Sequence, residues 1–146
     1  MTGATVTLEI RDQAVVAALD KLAQADLEPL LEVLREHLLV IHDDHWTEQQ
    51  APDGTPWAPL SPKYAARKAK ARPGRGILIY DELLRLLASS IEGDTVVIGT
   101  NRVYGATQQF GDPYRNIPAR PFLGVSDQDE ADLLGIIQDY VAGLAG

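Results

Sequence analysis

Leu27-Glu28-Pro29-Leu30-Leu31-Glu32-Val33-Leu34-Arg35-Glu36-His37-Leu38-Leu39-Val40-Ile41 sets leucine or isoleucine at 27, 30, 31, 34, 38 and 41. These positions trace one face of a 3.6-residue period. A strand, with its period of two, cannot keep that stripe on a single face. The spacing predicts a helix from 27 to about 50, roughly 36 Å long at 1.5 Å per residue. Asp26 can cap its start, and Pro29 is tolerated in its first turn. Pro52-Asp53-Gly54-Thr55-Pro56 stops it in a turn. Such a helix is long for a chain of 146 residues, so part of it is expected to leave the core and meet a neighbour.

Before this helix, Thr5-Val6-Thr7-Leu8-Glu9-Ile10 alternates apolar and polar side chains and reads as a half-buried strand. Val15, Val16, Leu19, Leu22 and Ala23 then fall at helical spacing, which predicts a helix over 13–25. On the other side, Ser61-Pro62 is an N-cap with proline at the first helical position, opening a short helix over 62–71. Arg72-Pro73-Gly74-Arg75-Gly76 ends it. Leu83, Leu84, Leu86 and Leu87 predict a helix over 82–89. Ile91 begins a strand, Gly93-Asp94 turns it, and Thr95-Val96-Val97-Ile98-Gly99 returns as the second arm of a hairpin. A short helix is expected over 104–110, an extended or edge segment over 117–124, and a last helix capped by Ser126. The expected fold is α+β: one domain over 1–146, with a small, mostly antiparallel sheet packed on the long helix and the C-terminal helix. Residues 52–76 form a long extended loop within it.

The chain has no cysteine, which excludes a disulfide scaffold, a thiolate nucleophile and thiolate metal sites. No apolar run reaches the ~20 residues of a membrane span, and Met1–Thr5 lacks the basic and apolar regions of a signal peptide. The net charge of -8 argues against a general nucleic-acid binder. Its distribution says more. Residues 62–76 carry six basic groups and no acid, namely Lys63, Arg67, Lys68, Lys70, Arg72 and Arg75, whereas 1–61 and 77–146 are both strongly acidic. Such a block either stays solvated or meets phosphate or an acidic surface on another subunit.

Nucleophilic serine motifs, phosphate-binding glycine loops and dinucleotide fingerprints are absent. His42 and His45, three apart with His37 nearby, could ligate zinc, although no third ligand can be assigned. Asp43 and Asp44 could be catalytic carboxylates, as could Asp127, Asp129, Glu130 and Asp132. The last four are more simply partners of a helix dipole. Trp57, Phe110, Arg120 and Phe122 sit among prolines and glycines rather than in periodic stripes. They read either as interface anchors or as caps on the core.

Three segments together resemble one family. They are Trp46-Thr47-Glu48-Gln49-Gln50-Ala51-Pro52-Asp53-Gly54-Thr55-Pro56-Trp57-Ala58-Pro59-Leu60-Ser61; the Ile77-Leu78 step with the later Val96-Val97-Ile98-Gly99-Thr100; and Tyr104-Gly105-Ala106-Thr107-Gln108-Gln109-Phe110-Gly111 followed by Ile117-Pro118-Ala119-Arg120-Pro121-Phe122-Leu123-Gly124. This pattern is similar to the phage virion morphogenesis family, tail-completion or neck proteins of Mu-like tailed phages, over about 27–143. The chain departs from it at Tyr80-Asp81-Glu82-Leu83, at Trp46 and at Tyr104-Gly105. The resemblance implies a structural protein of the head–tail junction, without catalysis or cofactor. It implies a ring, most simply six-fold, docking to head–tail connector and tail tube proteins, with the basic loop facing a partner or genomic DNA in the channel. Two other classes stay open: a nucleic-acid-binding module using residues 62–76, and a small metal-dependent hydrolase using His42 and His45.

Overall fold

The computed structural model describes residues 4–9, 26–80 and 84–145. The elements run β1 (Ala4–Glu9), α1 (Glu28–Glu48), α2 (Pro62–Ala71), β2 (Ala88–Glu92), β3 (Thr95–Thr100), α3 (Gly105–Phe110), a 3₁₀ turn (Pro113–Arg115) and α4 (Asp127–Ala145). The α+β class holds, and the sheet is wholly antiparallel in the order β1-β3-β2. β3 pairs with β1 from Ala4↔Thr100 to Glu9↔Thr95, and with β2 from Ala88↔Gly99 to Glu92↔Thr95. Gly93 stands at the first loop position of the hairpin with φ +67°, the backbone that a II′ turn asks of glycine. The helix expected over 13–25 lies outside the described residues.

The leucine stripe does what its period requires. Leu30, Leu31, Leu34 and Leu38 are buried against Val96 of β3 and Ile137 of α4, which makes one core. Each such side chain contributes about 1.5–3 kcal/mol when fully withdrawn from water. α1 then continues into a second core, where Trp46 packs with Ala51, Trp57, Leu84, Phe122 and Leu123. The helix is therefore long because it spans two cores. Its outer side leaves Val33 and Val40 exposed. It ends at Gln49, which adopts the left-handed conformation (φ 56°, ψ 44°) with its N–H donating to the His45 carbonyl. At α4, Ser126 and Asp129 exchange side-chain-to-backbone bonds of 3.0 and 3.1 Å, a reciprocal N-terminal cap.

The leucines after Tyr80 were expected to form a helix over 82–89. Within the described part of that range the chain instead turns and enters β2 at Ala88. Leu84 is buried in the second core and Leu87 packs beside it, while Leu86 is exposed. The helical spacing lost to pairing with β3, a non-local partner that a periodic stripe does not encode. Residues 62–71 form α2, so the extended loop over 52–76 is interrupted by three turns of helix.

Candidate assembly site

The proline-rich segment 117–124 is tied into the chain by side chains of α3, of α1 and of Trp57, and by its own Arg120. Gln109, near the end of α3, accepts from the N–H groups of Phe122 and Leu123 (both 3.0 Å) and donates to the Leu123 carbonyl (3.3 Å). Gln49 does the same for the neighbouring segment. It accepts from the Ile77 N–H at 2.6 Å and donates to the Ile77 and Trp46 carbonyls. Arg120 donates through Nε to the Ala58 carbonyl (2.8 Å) and through Nη2 to the Pro59 carbonyl (2.9 Å). Proline leaves these stretches short of donors for a sheet ladder, so side-chain amides and a guanidinium satisfy backbone groups that would otherwise be buried unpaired.

Those bonds close an aromatic cluster. The Trp46 ring centroid lies 5.7 Å from Trp57, edge-on, and 5.4 Å from Phe122. Trp57 donates its indole N–H to the Pro121 carbonyl at 2.7 Å. Among the four side chains named as interface anchors, Trp57, Arg120 and Phe122 are thus buried inside the chain itself. Their loop context concealed partners more than 60 positions away. Phe110 differs: it is 72% exposed at the end of α3, close in sequence to Tyr114, which is 97% exposed.

His42 and His45 sit between the two cores, with ring centroids 5.2 Å apart. The Leu38 carbonyl can only accept, so Nδ1 of His42 carries the proton and donates to it at 2.7 Å. The Gly124 N–H can only donate, and it gives its hydrogen to the Nε2 lone pair at 3.1 Å. Neither nitrogen of His42 is left for a metal. His45 donates from Nδ1 to the Phe122 carbonyl at 2.9 Å. Burial pushes His42 down to about 4 and lowers His45 as well. Among the described residues, no group of three or more His, Asp or Glu is placed to hold a metal ion. The histidines hold the 117–124 segment against α1.

Asp43, weighed as a catalytic carboxylate, holds Arg85 instead. The contacts run from Nε to Oδ1 at 2.6 Å and from Nη2 to Oδ2 at 3.1 Å, and Thr47 Oγ1 accepts a third bond. Hydrogen bonding to Arg85 lowers the carboxyl below its ordinary value. Because Asp43 is exposed and Arg85 only partly covered, Asp43→Asn should cost only about 0.5–1 kcal/mol in urea unfolding.

The basic segment divides. Lys63, Arg67, Lys70 and Arg75 are exposed. Arg72 stacks over the Tyr80 ring at 4.6 Å, and Arg67 lies 5.7 Å from the Tyr64 ring. Lys68 is 5% exposed and donates to the Gly76 carbonyl. It points into a cavity of about 660 Å³ between α2, the 78–80 segment and the 115–120 segment, shared with Tyr64, Arg115 and Arg120. The cavity, Gln49 and Gln109 had no marker in the sequence. The nearest signal was a polar side chain at a helix end beside a proline-rich stretch.

The buried polar side chains thus act on the chain's own backbone, while Phe110, Tyr114, Lys63, Arg67, Lys70 and Arg75 face outward. The phage virion morphogenesis family matches residues 10–142, and the chain belongs to that family. It is 40% identical over 81 residues to the Mu-like prophage FluMu G protein 2 of Haemophilus influenzae, covering 52% of this chain and 59% of that protein. It is 38% identical over 72 residues to an uncharacterized protein of Methanocaldococcus jannaschii, covering 46% of this chain and 53% of the other. The chain therefore spans a little over half the length of these relatives. No solved structure matches it. No helix among the described residues is long and apolar enough to cross a membrane.

Proposed function

We propose that this chain is a structural subunit of the phage head–tail junction, a tail-completion or neck component located in the virion. It acts by forming a ring with copies of itself, most simply six-fold, and by docking to connector and tail tube proteins. It needs no cofactor and carries out no reaction. Family membership supports the virion setting. The observation that carries the assembly reading is Phe110 and Tyr114, two large aromatics left in water beside a firmly bonded core. Aromatic side chains of this kind are the usual energetic centres of protein interfaces. The split between a basic α2 segment and an acidic remainder suits a heterologous contact, in which one patch meets a different patch on the next copy.

Replacing Phe110 and Tyr114 together by serine in a phage that depends on this chain should leave the protein folded. Electron micrographs of the lysate should then show heads and tails that have not joined. A normal yield of infectious, joined particles would refute the reading. The exposed Lys63, Arg67, Lys70 and Arg75 favour a second reading, contact with DNA in the channel. That reading requires retardation of duplex DNA that falls steeply with salt.

A further inference from the structure

We propose that the cavity beside α2 receives the acidic tip of the β2–β3 hairpin, Glu92 and Asp94, from a second copy of this chain. This rests on the self-assembly reading above. Among the described residues the cavity wall carries three cations, Lys68, Arg115 and Arg120, and no carboxylate. Arg115 is met by Asp112 at 2.7 Å. Lys68 and Arg120 meet only backbone carbonyls, those of Gly76, Ala58 and Pro59. Among the described residues, neither has a carboxylate within ion-pair distance.

Buried cations without a counter-charge are costly, and two in one cavity are more so. Lys68 is accordingly lowered, first by burial and then by repulsion from Arg120. The site lacks negative charge, while Leu60, Leu78 and Ile117 offer apolar contact to a side-chain stem.

The hairpin tip supplies what is missing. Glu92, Gly93 and Asp94 are all exposed. Their carboxylates meet only hydroxyls, Ser90 at 3.5 Å and Thr95 at 3.3 Å. The tip is a two-residue turn, slim enough to enter a cavity of this size. The acids of α1 and α4 ride on cylinders about 10–12 Å across. The chain's own tip cannot serve. Tyr104 and Gln108 of the cavity wall follow the Thr100 end of β3, whereas the tip lies at the Thr95 end, roughly 17 Å away along the strand at 3.4 Å per residue. The contact must run tip to cavity between copies, the heterologous arrangement that closes into a ring.

Because the chain has no cysteine, cross-linking can test this cleanly. The full-length Asp94→Cys and Tyr64→Cys variants, mixed under oxidant, should yield a disulfide-linked dimer, and Asp139→Cys with Tyr64→Cys should not. Sedimentation of Glu92→Gln/Asp94→Asn, both exposed changes, should show self-association weakened about ten-fold or more. Self-association unchanged in that variant, with no Asp94–Tyr64 link, overturns the inference and leaves the assembly reading standing. A link through Asp139 also overturns it. So does an equal weakening by Asp81→Asn/Glu82→Gln, acids outside the described residues. A chain that stays monomeric at millimolar concentration overturns the assembly reading and this inference with it.

Discussion

Phe122→Ala should lower the stability of this protein by about 3–5 kcal/mol, the usual cost of truncating a fully enclosed aromatic. Phe122 is 0% exposed and packs on Trp46 at the junction of five segments of chain. Its backbone is fixed on both sides, by Gln109 at the N–H and by His45 at the carbonyl. The surroundings therefore have little freedom to collapse into the space left behind, which places the expected cost toward the upper end. Against a total of about 5–15 kcal/mol for a domain, that loss leaves a marginal fold. The urea midpoint should fall by roughly 2 M with little change in slope. Phe110→Ala is the informative comparison. At 72% exposure it should change stability by less than about 0.5 kcal/mol, while assembly suffers. A stability loss of under about 1 kcal/mol for Phe122→Ala would show that the second core does not hold the 117–124 segment as described.

The contrast between these two phenylalanines marks where the sequence could be read and where it could not. Both stand beside glycine and proline, and local context let each read either as an interface anchor or as a cap on the core. Their fates are set by partners far along the chain, Trp46 and His45 for Phe122 and none within the chain's core for Phe110. The long helix was legible because Leu30, Leu31, Leu34 and Leu38 encode their own face at 3.6 residues per turn. β3 was legible because Thr95–Thr100 is bounded by glycine-bearing turns and rich in β-branched residues. β2 was largely hidden, because Ala88-Ser89-Ser90 has little strand character until it is laid against Gly99, Ile98 and Val97. The basic segment was visible as charge, but its division was not. A helix period turns Lys68 inward while Lys63, Arg67 and Lys70 stay out, and what lies inward is built by residues 115–120.

Acid should weaken this protein well above the pH at which carboxylates titrate, and His42 should carry most of the effect. Its folded value of about 4 lies below the ordinary 6.5, because burial disfavours the imidazolium. The hydrogen bonds add a reason: a second proton on Nε2 would face the Gly124 N–H, donor against donor. With the folded value depressed, the unfolded chain binds the extra proton between about pH 6.5 and 4. Stability is therefore fully present above 6.5 and is lost as pH falls through that window, by about 3 kcal/mol in all. His45 is lowered in the same direction and adds to the slope, although Asp129 and Asp44 favour its charged form. The carboxylates held low by partners, Asp43 by Arg85 and Asp112 by Arg115, contribute their loss only further down, in the carboxylate range. His42→Gln separates these contributions. Its side-chain oxygen can still accept from Gly124, but it cannot titrate. Urea unfolding at a series of pH values should show the wild type losing more stability than this variant between pH 7 and 4.5, with equal behaviour above pH 7.5. Parallel curves for the two proteins would mean that His42 is not the group that takes up the proton, and that the joint between the two cores does not depend on its neutral form.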